Sequence, residues 1–131
     1  MRYVLDANAI LRYLDNEPGA ARVEQLLNQA RATGSELSIS AVNWGEVLYV
    51  LMRKLSRTDA SALARKLRSL PISIVPVTDT DAEHAAEFKA QYAMPYADCF
   101  AAALADALKA TLVTADFDLK SCAKVVKLEF L

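Results

Sequence analysis

The sequence predicts an α/β protein, a three-layer α/β/α sandwich around a central, mostly parallel sheet of about five strands. Short apolar runs alternate along the chain with stretches of helical spacing, a pattern typical of parallel βαβ units. The 131 residues suffice for one core, so we expect a single domain over residues 1–131. Only three glycines and four prolines occur, which disfavours disorder and a turn-rich all-β fold.

Five apolar runs are predicted to form the strands. They cover residues 3–5, 37–39, 72–77, 111–114 and, more weakly, 125–128. Pro76 lies within the third run. Because proline cannot donate to a central hydrogen-bond ladder, we expect that strand at an edge of the sheet. Crossovers between parallel strands are right-handed, and helices should therefore cover both faces.

The first three helices are predicted from apolar spacing and from capping residues. Residues 8–14 have helical spacing, and Pro18 suits the first turn of a second helix, where its missing donor costs nothing. That helix should stop at Gly34, because glycine is typical of helix C-termini. Ser40 can cap a third helix, whose apolar positions continue to Leu55.

Caps and prolines also bound the later helices. A fourth helix should begin at Thr58 or Asp59 and end before Pro71. Thr80 and Glu83 match a capping box for a fifth helix. The other predicted boundaries are the end of the fifth helix near Tyr92, a sixth helix from Pro95 to about Lys109, and a loop or short helix at 116–121.

Composition limits the class of protein and its compartment. The 15 basic and 16 acidic residues give a net charge of −1, which by itself argues against a general nucleic-acid binder. No run approaches the length of a membrane span, and the first residues lack the apolar stretch of a signal peptide. The two cysteines have no CxxC spacing. We therefore expect a cytoplasmic protein without membrane association.

Four acidic residues stand where a ligand site is expected. Asp6 directly follows the first predicted strand and Asp116 closely follows the fourth, and ligands of open parallel sheets bind beyond the carboxyl ends of the strands. Glu46 and Asp98 lie within predicted helices, on faces that also carry apolar or small residues. A carboxylate on a packed face needs a partner, since an unpaired buried charge is costly.

Each acid taken alone also has a purely structural explanation. An aspartate after a strand is most often a turn residue or a helix cap, which applies to Asp6 and Asp116. Glu46 would be a solvated helix residue, and Asp98 a first-turn acid that complements the helix dipole. Four converging acids, in contrast, would repel one another unless a cation compensated them.

A donor set made only of carboxylate oxygens favours hard cations such as Mg²⁺ or Mn²⁺ over softer metals. Such an ion can lower the pKa of water and stabilise an in-line displacement at phosphorus. The four acids therefore indicate metal-assisted phosphodiester hydrolysis.

Four segments carry these acids in a characteristic order. They are YVLDANAIL at 3–11, NWGEV at 43–47, YADCFAAALA at 96–105 and LVTADFDL at 112–119. In this order and in a chain of this length, they resemble the motifs of the PIN domain ribonucleases, most closely those of the VapC toxins of type II toxin–antitoxin pairs. The resemblance covers essentially the whole chain.

The resemblance implies a PIN-like fold with neighbouring first and fourth strands, an RNA substrate, a VapB-like antitoxin as partner, and a homodimer. Asn8 and Thr114 match family positions that steady the site by hydrogen bonding. Asp118 is either an extra ligand or a turn residue. The catalytic, metal-binding acids that the resemblance implies, with Mg²⁺ or Mn²⁺ as cofactor, are Asp6, Glu46, Asp98 and Asp116.

Basic and acidic residues are segregated along the chain, which weakens the argument from net charge against a nucleic-acid partner. The segment 53–68 carries a net charge of +5 and the segment 79–106 one of −5. Solvated helix faces explain this pattern, but some cations could equally contact RNA phosphates. The candidate contacts are Arg12, Arg53 and Lys54. Within the second motif, Gly45 either permits close packing beside the acid or is merely tolerated.

Two alternative functions follow from the same residues. A PIN nuclease could act in RNA maturation or on DNA without being a toxin. The other alternative is a receiver-like, non-catalytic Mg²⁺-binding interaction module, which would need an aspartate closing the third strand and a lysine closing the fifth. Here Pro76, Val77 and Thr78 stand at the end of the third predicted strand, and Lys127 lies inside the fifth. The residues therefore favour the nuclease.

Overall fold

A computed structural model describes residues 1–131 and contains one sheet of five parallel strands. The strands are β1 (Arg2–Leu5), β2 (Glu36–Ser40), β3 (Ser73–Val75), β4 (Thr111–Thr114) and β5 (Lys127–Phe130). Their order across the sheet is β3-β2-β1-β4-β5. The prediction from Pro76 is confirmed, because β3 forms one edge of the sheet and ends just before the proline.

Six α-helices and one 3-10 helix cover the two faces of the sheet. They are α1 (Ala7–Leu14), α2 (Ala20–Thr33), α3 (Ala41–Lys54), α4 (Arg57–Arg68), α5 (Asp79–Gln91), α6 (Tyr96–Leu108) and the 3-10 helix Phe117–Cys122. None of them combines the length and the apolar composition needed to cross a membrane.

Two separate apolar cores hold these helices on the sheet. Leu5 of β1 joins a core with side chains of α1 to α4, including Leu27 and Val47. Its neighbour Val4 joins a second core with side chains of α5, α6 and the 3-10 helix, including Phe88. Consecutive residues of a strand point to opposite faces, so β1 contributes to both cores. The predicted α/β/α sandwich is confirmed.

The order of the strands reverses at β1. Val4 pairs with Ser38 of β2 on one side and with Leu112 of β4 on the other. The adjacency of the first and fourth strands, which the resemblance implied, is thus confirmed. At such a switch point the connections leave β1 and β4 toward different helices and open a crevice at the carboxyl edge of the sheet.

The entry into α2 differs from the prediction. Pro18 stands outside the helix, and Gly19 is its N-cap, with a φ of 99° that few other residues adopt. A Cβ atom at Gly19 would lie 2.6 Å from Cβ of Leu131. The steric clash with Leu131 is therefore a second reason for a glycine at this position. The predicted end of this helix at Gly34 is confirmed, since its φ is 71° and its N–H bonds to the Ala30 carbonyl.

The cap of α5 lies two residues before its predicted position. The hydroxyl of Thr78 accepts from the Asp81 N–H at 3.2 Å, and Asp81 accepts from the Thr78 N–H at 2.9 Å. The predicted pair, Thr80 and Glu83, lies inside the helix. Both pairs have the spacing of a capping box, and the pattern alone cannot choose between two overlapping copies.

Two further boundaries were misplaced for local reasons. Ser56, rather than Thr58 or Asp59, caps α4, because its hydroxyl accepts from the Asp59 N–H at 3.1 Å. The last strand begins two residues later than predicted. The N–H of Val126 bonds to the carbonyl of Cys122 at 3.0 Å, which keeps that valine in the turn before β5.

Candidate functional site

The carboxyl ends of β1 and β4 open into an acidic cleft of about 210 Å³. A water molecule occupies about 30 Å³ in the liquid, so the cleft has room for an ion with part of its hydration shell. Side chains of α1, α3 and α6 and the residues around β1 and β4 line it. The four predicted acids, Asp6, Glu46, Asp98 and Asp116, are all among the lining residues.

Asp6 is held rigidly where β1 turns into α1. It caps the helix, accepting a hydrogen bond from the Ala9 N–H at 2.9 Å, and its other oxygen accepts from the hydroxyl of Thr114. The residue is 2% exposed. Burial raises the pKa of Asp6 to about 6, and the negative charges of Asp116 and Glu46 act in the same direction. The capping role considered from the sequence is therefore real and coexists with a place in the cleft.

Asp98 is the acid that most lacks a partner. It is 8% exposed in the first turn of α6, and its Oδ2 has no hydrogen-bond partner. Burial raises the pKa of Asp98 to about 8, and a shared hydrogen bond with Asp116 adds to the shift. A buried carboxylate oxygen without a donor is costly, and a cation in the cleft would relieve that cost.

Glu46 is oriented by Asn43, a residue to which the sequence analysis gave no role. The Nδ2 group of Asn43 donates to Glu46 Oε1 at 2.9 Å and to the Ala97 carbonyl at 3.1 Å. Asn43 is fully buried, and its Oδ1 has no partner. This amide links α3 to the start of α6, and so fixes Glu46 relative to Asp98. The i, i+3 spacing within one helix was the available signal.

Asp116 is placed by the turn that leaves β4. Its N–H donates to the Thr114 hydroxyl at 2.9 Å, while its Oδ1 caps the 3-10 helix by accepting from the Asp118 N–H at 2.9 Å. Oxygen atoms of Asp98, Asp116 and Asp118 lie within 4.8 Å of one another. Asp118 therefore combines a place in the first turn of the 3-10 helix with proximity to the acids.

The site fits a hard divalent cation on two grounds. Every ionisable side chain that lines the cleft is a carboxylate, without histidine or cysteine. Such a donor set favours Mg²⁺ or Mn²⁺ over softer metals. In addition, Oδ2 of Asp98 is buried without a partner and stands beside three other acids. The residues that would hold the ion are Asp6, Glu46, Asp98 and Asp116.

The other predicted residues fall into two groups. Asn8 lines the cleft, but its side chain forms no hydrogen bond with the acids. Arg12, Arg53 and Lys54 do not line it. Arg12 donates to the Pro18 carbonyl at 3.0 Å and so supports the turn between α1 and α2. On α3, the Arg53 guanidinium lies 5.1 Å from the ring centre of Tyr49, and Lys54 lies 3.8 Å from Asp15.

Gly45, next to Glu46, has a simple explanation. A Cβ atom built on it would meet no atom within 4 Å. Close packing therefore does not require a glycine at this position. Of the two explanations considered, the structure supports the second, that a glycine is merely tolerated at an exposed position of the helix.

Three solved structures illustrate the similarity of fold. VapBC2 from Rickettsia felis, solved with a DNA fragment from its promoter, has a TM-score of 0.79 and 19% identity, with 100% of this chain and 99% of that chain covered. FitAcB from Neisseria gonorrhoeae has a TM-score of 0.74 and 20% identity, covering 97% and 96%. VapC20 from Mycobacterium tuberculosis, described as a toxin that cleaves the sarcin-ricin loop, has a TM-score of 0.68 and 19% identity, covering 95% and 97%.

Sequence comparison identifies the family. No curated protein sequence matches this chain. The PIN domain family model, in contrast, matches residues 3–125, nearly the whole length. That match contains all four acids and every helix. The chain therefore belongs to the PIN domain family.

Proposed function

We propose that the protein is a metal-dependent endoribonuclease of the VapC type, the toxin of a toxin–antitoxin pair. The observation that carries this proposal is the convergence of Asp6, Glu46, Asp98 and Asp116 in one cleft of a PIN domain. The likeness to toxin chains such as VapC20 supports RNA as the substrate. Because RNA is the proposed substrate, we expect the protein to act in the cytoplasm.

The acids would hold Mg²⁺, with Mn²⁺ as a substitute. When bound, such an ion stabilises negative charge on the phosphate and lowers the pKa of water, so that hydrolysis of the phosphodiester bond becomes possible near neutral pH. The acids themselves repel a phosphate, and their charge must be offset before RNA can approach. This explains how a chain with a net charge of −1 can act on a polyanion.

Other side chains prepare the site for this task. Thr114 holds the carboxylate of Asp6, and Asn43 holds that of Glu46, so both are oriented before any ligand arrives. Asp98 must lose its proton to bind a cation, since its pKa is raised to about 8. Cation binding at this carboxylate should therefore release a proton.

We further propose a VapB-like antitoxin and a homodimer as the assembly. A chain of similar fold is part of a toxin–antitoxin complex from Klebsiella pneumoniae. On this chain, α3 and the residue that follows it expose apolar side chains that no helix covers: Tyr49 is 47% exposed, Met52 63% and Leu55 38%. A protein partner would bury such a surface. The molar mass of the protein in solution, measured alone, tests the homodimer. The same measurement after coexpression with a candidate antitoxin encoded by a neighbouring gene tests the antitoxin complex.

The nuclease activity is tested with purified protein and single-stranded RNA in the presence of Mg²⁺. We expect cleavage by the unsubstituted protein, loss of cleavage in Asp98→Asn and Asp116→Asn, and full cleavage in Asp59→Asn, which makes the same change on an exposed helix. Cleavage that survives in the first two variants, or in EDTA, contradicts the proposal.

Induction in a bacterial host separates a toxin from a PIN nuclease of RNA maturation. A toxin should arrest growth, and the arrest should be absent in Asp98→Asn. Coexpression of the antitoxin should restore growth. An active nuclease that leaves growth unchanged would favour the maturation enzyme.

A further inference from the structure

One exposed aromatic residue directly follows an acid of the cleft in the sequence. Phe117, the residue after Asp116, is 63% exposed. A phenylalanine gains stability from burial, so exposure of most of its surface leaves that gain unused in the isolated chain. The ring is nevertheless held in place by a neighbour. It packs against Phe130 of β5, with ring centres 5.3 Å apart and planes inclined by 31°.

The two rings lie at the same edge of the sheet as the cleft. Phe130 ends β5 and pairs in register with Thr114, the residue that holds Asp6. Adjacent strands are about 4.8 Å apart, so the ends of β1 and β5, two strands apart, are separated by roughly 10 Å. A ligand as long as an oligonucleotide that binds over the acids can therefore extend to Phe130 and to Phe117, which packs against it.

A free cation accompanies the rings. The Lys120 ammonium lies 4.5 Å from the ring centre of Phe117 and 5.7 Å from that of Phe130. It forms no ion pair with any carboxylate, although Asp116 and Asp118 are close to it in the sequence. Lysine has a long flexible stem, so its ammonium can leave the ring and take a nearby anion instead.

We propose that Phe117, Phe130 and Lys120 form a ledge that binds one unpaired nucleotide of the RNA substrate beside the cleft. The base stacks on Phe117, which Phe130 supports, and Lys120 contacts a neighbouring phosphate. This proposal rests on the proposed ribonuclease function and adds a substrate contact to it. Only an unstacked base can use the ledge, so the substrate must be single-stranded there.

A nucleotide fits these observations better than a protein side chain does. An aromatic ring combined with a cation is the arrangement with which proteins bind single-stranded nucleic acids, the ring for the base and the cation for the backbone. The ledge also adjoins the place where the phosphate to be cleaved would bind. The exposed side chains of α3, in contrast, form a mainly apolar surface that suits a protein partner.

The first test uses Phe117→Trp as a reporter of stacking, in the background of Asp98→Asn so that RNA stays intact. The probes are a single-stranded RNA 12-mer and an oligomer of the same length without bases. We expect the base-bearing RNA to quench the new tryptophan and the abasic oligomer not to. Trp44 is only 9% exposed, and its contribution is measured in Asp98→Asn alone.

The second test compares RNA binding by two variants of Phe117 that both keep an apolar side chain, one without and one with an aromatic ring. Phe117→Leu should weaken binding of the base-bearing RNA by about 5- to 150-fold, as expected for one lost stacking contact, while Phe117→Trp retains it. Binding of the abasic oligomer should be the same in both. Lys120→Gln should weaken binding of both oligomers and reduce the dependence on salt concentration.

The outcomes separate this proposal from the function on which it rests. Absence of quenching, or equal RNA binding by Phe117→Leu and Phe117→Trp, overturns the ledge even if the unsubstituted protein cleaves RNA. Base-dependent quenching together with no cleavage by the unsubstituted protein would retain the ledge and overturn the nuclease. If the ledge binds a protein partner instead, Phe117→Leu should abolish binding of that partner and leave RNA binding unchanged. That outcome also overturns the proposal.

Discussion

The hydroxyl of Thr114, at the end of β4, donates a hydrogen bond to Oδ2 of Asp6, at the end of β1. The same hydroxyl of Thr114 accepts a hydrogen bond from the N–H of Asp116 at 2.9 Å. One hydroxyl therefore joins the two central strands and sets the positions of two acids.

Thr114→Val should lose both hydrogen bonds with little change of shape. We expect the free energy of unfolding to fall by about 1–3 kcal/mol, because Asp6 and the N–H of Asp116 lose their partner in a buried place. RNA cleavage should fall by about 10- to 100-fold, as for other residues that orient metal ligands. Thr114→Ser keeps the hydroxyl and should retain most of the stability and of the cleavage activity. Thr111→Val, which makes the same change at the other end of β4, is the control. Equal activity of Thr114→Val and Thr111→Val would refute the role.

Asn43→Ala should weaken the site through Glu46. The substitution leaves Glu46 and the Ala97 carbonyl without their shared donor, and unfolding should become easier by about 1–3 kcal/mol. The affinity for Mg²⁺ should fall by about 10- to 100-fold. Asn28→Ala, on the exposed side of α2, is the matched control. Calorimetric titration with Mg²⁺ measures the effect, and an unchanged affinity contradicts it.

Mg²⁺ should stabilise the folded protein only while the acids are intact. At a concentration 100-fold above its dissociation constant, an ion that binds the folded state alone adds about 2.7 kcal/mol to the free energy of unfolding. Thermal unfolding with and without Mg²⁺ should show this gain in the unsubstituted protein and in Asp59→Asn. The gain should vanish in Asp98→Asn, and its persistence there would place the ion elsewhere.

Stability of the metal-free protein should fall as the pH rises. The folded-state pKa is raised to about 6 for Asp6 and about 8 for Asp98, mainly by burial. The unfolded chain releases these protons near pH 4, so between about pH 4 and pH 8 the folded state binds more protons and added base favours unfolding. Urea unfolding in EDTA across this range tests the slope. Asp98→Asn should flatten it between about pH 6 and pH 8, and an unchanged slope there would exclude Asp98 as its source.

Gly45→Ala should stabilise the protein by about 0.5–1 kcal/mol. Glycine in the middle of a helix costs that much relative to alanine, and a Cβ atom here meets nothing within 4 Å. Gly34→Ala is the contrasting variant, because its φ of 71° strains any side chain and should destabilise the protein. Urea unfolding of both variants measures the difference. A loss of stability in Gly45→Ala would show that the position is constrained.

The fold was largely predictable because its patterns are local. Apolar runs of strand length, separated by stretches of helical spacing, identified all five strands and six helices. Errors arose where two local signals overlapped, as at the start of α5, where Thr78 with Asp81 and Thr80 with Glu83 have the same spacing. The choice between them depends on where the helix packs, which neighbouring residues do not encode.

The sequence by itself determined which residue types could form a metal site: acids that follow two strands and acids on packed helix faces. Only the tertiary structure decided how those acids are held. Asn43 reaches Ala97, 54 positions away, and Thr114 reaches Asp6, 108 positions away, because the switch in strand order brings distant chain segments together. The exposed Phe117 is likewise meaningful only beside Phe130 and the cleft. Hydrogen bonding and stacking act over a few ångströms of space, and sequence spacing constrains such distances only within one element.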